Sequence, residues 1–430
     1  MKRTILRAAI ILPACIIIGY LLLVLVYLIP ESWMHAHLIE SCQQVTAQGV
    51  YPVDPVSSRT LDRFTDAAML LECGYTGTES AFTKAANSSY VRVDGSDPYH
   101  TASRLEQARP EEISVYHDNR YWHGYQLLLR PLLLIVNFNQ IQVLNAVVLY
   151  ALLAAILFLM FRKARECIIP FIFAVLLLAP TAVSQCLQFS GAVYVSLLAT
   201  LIILLNPKQI RSDGKVEIVF LFAGILTPFV DLLTAPTITL TLPLIVLFML
   251  NRKQTEPYRR LLKCVLFWGI GYAFMWFGKW VIAYLANGSS FLDSLINQMR
   301  FRSDASSGFS LNSRMEPLLR NISHLGNTRW INIAILIYLV GCVVLFFVKK
   351  QKTLLPELKK LPKTVFPYVL IALIPVVWIL LLSNHAMIHV FFTYRNLVPC
   401  VFAALCACTL PAFSPAEPSL NAQGHTDNPA

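Results

Sequence analysis

Apolar residues in this chain run in long stretches, linked alternately by short basic segments and by turns or long polar loops. Ten stretches, at about 8–29, 141–161, 167–183, 187–205, 216–230, 234–250, 262–285, 330–348, 364–382 and 389–410, predict membrane-spanning helices. Most approach the roughly 20 apolar residues that cross a bilayer, and a helix satisfies its own backbone in lipid. The pair at 216–250 is short and holds Pro228 and Pro236, so a tight hairpin or a kinked re-entrant element is expected there. The pattern divides the chain into an anchor at 1–30, a loop at 31–126, a bundle at 127–410 and a polar tail at 411–430 that is expected to be disordered. The first stretch is too long for a cleavable signal, and no small-residue cleavage site follows it, so it reads as an anchor that stays.

Composition agrees with an all-α, polytopic transmembrane bundle. Of 430 residues, 56% are apolar and 14% charged, which excludes a disordered chain, a coiled coil and an ordinary soluble enzyme. The net charge is +11. In a soluble protein that excess would suggest nucleic acid. Here the cations gather at the N-terminus (Lys2, Arg3, Arg7) and in short connections: Arg162, Lys163 and Arg165; Lys208, Arg211 and Lys215; Arg252 to Lys263; Lys349 to Lys363. The positive-inside rule places this face, with both termini, in the cytoplasm, so a multi-pass protein of the cell membrane is expected, with lipid and not nucleic acid as its surroundings. There is no Walker loop, dinucleotide fingerprint or Cys/His zinc spacing, and no evident internal repeat.

The opposite face receives the long loops at 31–126 and 286–329, and long loops without repeats usually carry function. In the first, SRTLDRFTDAAMLLEC (58–73) has helical spacing of Leu61, Phe64, Ala68 and Leu71, with Ser58 as the expected N-cap and Gly74 as the expected stop. Asp62 and Asp66 then share one face. They form either a solvated acidic surface or a carboxylate pair that acts as a base or holds a divalent cation. Cys42 and Cys73, outside the spans, could form a disulfide or remain free thiols. The loop ends in HDNRYWHGYQLLLRPLLLIVNF (117–138). That apolar run is too short to span, so a re-entrant or interfacial helix is expected near 127–138, with Tyr121, Trp122 and Tyr125 as interface aromatics. His123 and Arg130 would either serve that anchoring or face a polar cleft and contact an anionic headgroup.

Ionisable residues within or beside spans are functional candidates because they are expensive there. Asp231, Lys279, His385, His389 and Arg395 all fall in the outer half. Arg395 is six residues beyond His389, roughly 9 Å deeper in a continuous helix, and Asp231 could be its partner. A polar cavity opening outward under the first loop is expected, and a cation cluster at that depth suits a lipid phosphate.

One anchor span, a large outer loop with acids on a short helix, a partial interfacial segment and then many spans together resemble the GT-C superfamily of integral-membrane glycosyltransferases. In LDRFTDAAML, Asp62 and Asp66 match the family's first-loop acid, although no strict acidic dipeptide is present. In HAMIHVFFTYR, His389 and Arg395 match late basic residues that hold the donor phosphate. The resemblance implies transfer of a sugar from a polyprenyl-phosphate donor to an acceptor at the extracytoplasmic face. An aspartate (Asp62, Asp66 or Asp231) would serve as base, and Arg130, His123, Lys279, His385, His389 and Arg395 would bind substrate. No cofactor is required, and a divalent cation on Asp62 and Asp66 is optional. The competing readings are a polysaccharide polymerase or ligase, and a lipid or solute transporter without transferase activity.

Overall fold

The computed structural model describes residues 2–206, 214–251, 256–303 and 311–413. The tail beyond Phe413 and the basic residues Lys208, Arg211, Arg252 and Lys253 lie outside the described residues. Helices dominate, and among the described residues seven are long and apolar enough to cross a membrane: Lys2–Tyr27, Phe138–Lys163, Leu187–Leu205, Pro257–Asn287, Arg329–Lys350, Leu354–Leu381 and Val390–Phe413. The other three expected spans are helical but shorter. The stretch at 167–183 divides into Ile168–Leu178 and Pro180–Gln185 at Ala179, whose φ is +57°. Pro180 disfavours a helical residue before it, and the chain turns there. The expected hairpin forms as Lys215–Val230 and Ile238–Leu250, joined through an extended Asp231 and a Leu233 with φ +65°.

Small residues set the tightest helix contact. Lys215–Val230 lies along Pro257–Asn287, and a Cβ at Gly224 would overlap the Trp268 carbonyl, one at Gly271 the Leu221 carbonyl. Backbones that close need glycine, as in membrane helix pairs generally. Ile238–Leu250 is buried along almost its whole length, whereas Lys2–Tyr27, Phe138–Lys163 and Arg329–Lys350 expose Ile5, Ile10, Val143, Val147, Leu336 and Ile337. These outer helices present apolar side chains to lipid.

The basic connections share one end. Thr4 abuts Gly214, and Lys163 Nζ donates to the Leu204 carbonyl. The first loop packs at the other end as helices His35–Thr46, Arg63–Cys73, Ala81–Asn87 and Pro98–Arg104, with strands β1 (Ser89–Val93) and β2 (Ile113–His117) paired antiparallel, Ser89 opposite His117. This sheet is a departure from an all-helical chain. The second loop contributes Ser289–Ser303 and Leu311–Leu325.

Several local expectations change. The first-loop helix starts at Arg63, capped by Asp62 Oδ1, which accepts from Thr65 N at 3.0 Å. Ser58 is in a turn with φ +55°, its N–H donating to the Asp54 carbonyl at 2.8 Å. Gly74 does end the helix, and a side chain there would overlap Leu38. Cys42 and Cys73 are buried free thiols, and Cys73 Sγ donates to Gln126 Oε1 at 3.2 Å, so no disulfide joins them. The segment near 127–138 forms a short helix, Gln126–Leu133, before an Asn137 capping box opens the Phe138–Lys163 helix. Its aromatics are interior, not a surface belt: Trp122 is fully buried and donates Nε1–H to the Met275 carbonyl at 2.7 Å. Finally, the chain before Arg395 is not one helix. Ser383–Ile388, Val390–Thr393 and a 3-10 turn Tyr394–Leu397 precede Val398–Phe413.

Candidate functional site

The expected polar residues separate into four groups at the end of the bundle opposite the basic connections. The first holds the loop-one acids, and neither lies on a solvated face. Asp66 is fully buried, paired with Arg63 Nη1 at 2.7 Å, and accepts from the Leu187 amide at 2.9 Å and from Cys186 Sγ at 3.6 Å. Asp62 caps its helix and also accepts from Thr65 Oγ1 at 2.8 Å. Burial raises the Asp62 carboxyl to about 6. Asp54 accepts from Thr181 Oγ1 at 2.6 Å and Gln185 Nε2 at 2.9 Å. These carboxylates clamp the loop onto the break around Ala179. The Asp66 oxygens are taken by protein donors, as are those of Asp62, so the pair offers a cation little.

Arg130 and His123 belong to a second group. Arg130 is fully buried. It donates to the carbonyls of Val26 at 2.9 Å, Ile29 at 2.8 Å and Cys73 at 2.5 Å, and lies 3.6 Å from Glu31. It therefore ties the anchor helix to the loop and faces no cleft. His123 Nδ1 is 2.9 Å from Glu72 Oε2, and Nε2 is 2.8 Å from the Asp118 carbonyl and 3.8 Å from Asp118 Oδ2. Glu72 also accepts from Tyr125 Oη and from Gln126 Nε2. Burial opposes a charge on His123, but the Glu72 carboxylate and then Asp118 outweigh it and hold the imidazole above its ordinary value. Ligand atoms of Glu72, Asp118 and His123 lie within 4.8 Å of one another. A cation could take only one imidazole nitrogen, whereas the ring already bridges both carboxylates, so a protonated histidine fits better than a metal. Glu72 escaped the sequence reading because it falls within the apolar run AAMLLEC. Lys279 does not line a cavity either: Nζ donates to Ala86 O at 2.8 Å and Ala85 O at 3.3 Å, at the end of the Ala81–Asn87 helix.

The third group surrounds the hairpin turn between Lys215–Val230 and Ile238–Leu250. Asp231 is buried. It accepts backbone N–H groups of its own turn, Thr234 at 3.2 Å among them, and burial raises its carboxyl to about 7. His385 Nε2 reaches the Leu233 carbonyl at 3.0 Å, and its Nδ1 faces Arg302 Nη1 at 2.9 Å. Because arginine can only donate, His385 is the neutral Nε2–H tautomer. Burial and Arg302 hold it well below its ordinary value, and hold His389 down at about 4. The two histidines, whose rings are 4.8 Å apart, are therefore not the expected cations. Arg302 is the cation here, 5.6 Å from the Tyr121 ring centroid. The charges of Arg302 and Asp231 both reach the Tyr121 hydroxyl. Arg302 escaped notice because nothing in a polar loop distinguishes one arginine from another before folding.

The fourth group holds Arg395, which is not paired with Asp231. Its Nε donates to the Leu178 carbonyl at 3.1 Å, and Nη1 to Phe391 O at 3.4 Å. Its guanidinium lies 4.9 Å from the Tyr394 ring centroid, and that of Arg59 lies 4.5 Å from it. Arg59 donates to the carbonyls of His324 and Leu325. Phe189 and Phe392, with centroids 6.1 Å apart, separate this group from His389, which stacks on Phe392.

No known protein family, curated protein or solved structure matches this chain.

What remains is chemistry read from the groups themselves. Among the described residues, the hairpin turn brings together a buried carboxylate free of a direct cation contact, a cation and two neutral histidines, at the end of the bundle opposite the basic connections. Groups one and two are already consumed by structural contacts.

Proposed function

We propose that this protein is an integral-membrane glycosyltransferase that takes a polyprenyl-phosphate-linked sugar and transfers it to an acceptor hydroxyl at the extracytoplasmic face. The observation that carries the reading is the hairpin turn itself: it buries the Asp231 carboxylate, and its Leu233 carbonyl holds His385, which in turn meets Arg302 at 2.9 Å. Burial also raises Asp231 to about 7. A base poised near ambient pH is what general-base catalysis favours. In this scheme Asp231 accepts the acceptor hydroxyl proton. The oxygen bonds to the anomeric carbon as the bond from that carbon to the phosphate oxygen breaks, and the electron pair leaves on the polyprenyl phosphate. Arg302 stabilises the charge developing there, with bidentate geometry suited to phosphate. His385, kept neutral, orients Arg302. No metal is required by these steps.

An apolar cavity of about 250 Å³ supports a lipid-borne substrate. Phe277, Trp280, Val281 and Tyr284 from one stripe of Pro257–Asn287 line it, facing Leu292 and Leu295. The latter two belong to Ser289–Ser303, the helix that carries Arg302, so a prenyl chain seated there would bring its phosphate towards that arginine. On this reading the GT-C-like layout expected from the sequence would carry its base in the hairpin turn and not in the first loop.

The test is native mass spectrometry of the detergent-purified protein beside Arg302→Ala and Asp231→Asn. A co-purifying polyprenyl phosphate or sugar adduct, lost in Arg302→Ala and retained in Asp231→Asn, is expected. Absence of any polyprenyl species while other lipids are retained overturns the reading and turns attention to solute flux.

A further inference from the structure

Arg59 and Arg395 present a charge that the protein does not balance. Both are buried, at 2% and 0% exposure, and among the described residues no carboxylate pairs with either. A guanidinium stays protonated in proteins, and a buried unpaired ion costs several kcal/mol. Each is partly compensated by a helix C-terminus. Arg59 donates to the last two carbonyls of Leu311–Leu325, and Arg395 to the last carbonyl of Ile168–Leu178. A helix C-terminus is equivalent to roughly half a negative charge. Two such ends offset about one of the two positive charges and leave about one.

The remaining hydrogen-bonding capacity is also unused. Arg395 Nη2, Tyr394 Oη and His324 Nε2 are buried atoms with no partner. All three belong to groups gathered on one ring: the Tyr394 and His324 centroids are 5.0 Å apart, and both guanidiniums lie within 4.9 Å of Tyr394. Burial, and then the two guanidiniums, hold His324 at about 4, neutral at ordinary pH, so its imidazole can present an N–H without adding a third charge. His324 is only half-buried, so the cluster reaches the protein surface at this imidazole. Purely structural capping accounts for the helix ends but for neither the residual charge nor the unused donors.

We propose that Arg59, Arg395, Tyr394 and His324 form a binding site for a phosphate-class oxyanion, distinct from the Asp231–Arg302 turn. Its ligand balances the residual charge and accepts from the unused donors. The anion could be free inorganic phosphate or the headgroup of a lipid whose chains remain in the bilayer. The site needs no transfer reaction, so it stands or falls separately from the function proposed above.

The experiment uses the full chain, purified in detergent and exchanged into phosphate-free buffer. Inorganic phosphate is titrated, at constant ionic strength, against the thermal unfolding midpoint of wild type, Arg395→Gln and Tyr394→Phe. The last keeps the ring that both guanidiniums cover and removes only the hydroxyl. In parallel, phosphate released on unfolding wild type is assayed as inorganic phosphate and, by mass spectrometry, as phospholipid. A saturable rise of the midpoint in wild type is expected, with apparent affinity roughly tenfold weaker in Tyr394→Phe, the scale of one lost hydrogen bond to a charged group. About one retained inorganic phosphate per chain identifies the free anion. A retained phospholipid that added phosphate displaces identifies the lipid headgroup and equally supports the site. Wild type that neither retains phosphate in any form nor shifts saturably overturns the proposal, as does a shift identical in all three proteins.

Discussion

Replacing Arg130 by methionine, which keeps much of the volume and removes the charge, tests whether this residue is structural. Three carbonyls, from Val26, Ile29 and Cys73, lose their donor. The Cys73 contact is buried and the other two are half-buried, while the Val26 carbonyl keeps the Ile29 N–H at 3.2 Å. An unsatisfied buried acceptor costs about 1–3 kcal/mol, in full at Cys73 and in part at Ile29. A guanidinium 4.8 Å from the Tyr27 ring centroid is also lost, worth about 1 kcal/mol. Glu31 is not stranded, because Lys84 remains 2.9 Å from it. Allowing for relaxation and some water entry, the loss is about 3–5 kcal/mol, the scale seen when a buried polar network loses one member. Denaturant unfolding in detergent measures it, and limited proteolysis shows where it acts. The first loop should become the earliest cleavage region, since Arg130 joins it to the anchor helix. A loss below about 1 kcal/mol, with loop cleavage unchanged, refutes the assignment and returns Arg130 to the pool of ligand-binding residues.

Three further outcomes follow from the same contacts. His123 is held above its ordinary value by Glu72 and Asp118, so its contribution to stability is complete below an unfolded value of about 6.5 and lost as pH rises through the folded value. Thermal midpoints measured from pH 5.5 to 9 should fall over that window, and His123→Gln should flatten that part of the curve. Asp231→Asn should abolish transfer without loss of folding. In wild type the rate should rise with pH through about 7, where this carboxyl gives up its proton, and a rate independent of pH there counts against Asp231 as base. Gly224→Val should reduce the folded yield severely, because the new side chain meets the Trp268 backbone, whereas Gly269→Val, with open space around it, should be tolerated in an expression and gel-filtration comparison.

The helical membrane class was legible because bilayer thickness imposes a length on apolar runs that no soluble context demands. The outer hairpin was legible from Pro228 and Pro236, and the Gly74 stop from its place after an apolar stripe. Burial of the first loop was not. Asp62 and Asp66 share a helix face whether that face meets water or the start of another helix, and only the Leu187 amide and Arg63 decide it. The same limit hid Glu72 and Arg302, whose partners are 51 and 83 positions away in sequence, at His123 and His385. Lys279 and Arg130 were conspicuous for the right reason, charge inside apolar sequence, but a buried cation is satisfied as readily by backbone carbonyls as by a substrate.

Those carbonyls explain why the polar residues gather in the half of the bundle away from the basic connections at all. The chain interrupts its helices there, at Ala179, at Asp231–Leu233 and at His389. Every interruption frees backbone groups that lipid cannot hydrogen-bond. The side chains answer them one by one: Arg395 takes the Leu178 carbonyl, His385 takes the Leu233 carbonyl, and Asp231 takes the amides of its own turn. A polar side chain brought in for that purpose seldom uses all of its valence. Arg395 retains a free Nη2, and Asp231 satisfies its oxygens with turn amides and, among the described residues, no direct cation contact. Helix breaks thus create the demand for buried polar groups, and the unspent part of those groups is what a ligand can use. Restoring helix continuity should therefore remove binding capacity even where no ligand-contacting side chain is changed. Pro180→Ala, which relieves the constraint on Ala179, is the simplest such change. If it lets the 168–185 segment run through, the Leu178 carbonyl is taken by the helix, Arg395 loses its anchor, and phosphate-dependent stabilisation falls. If phosphate-dependent stabilisation persists although the segment has become continuous, the breaks are incidental to the site.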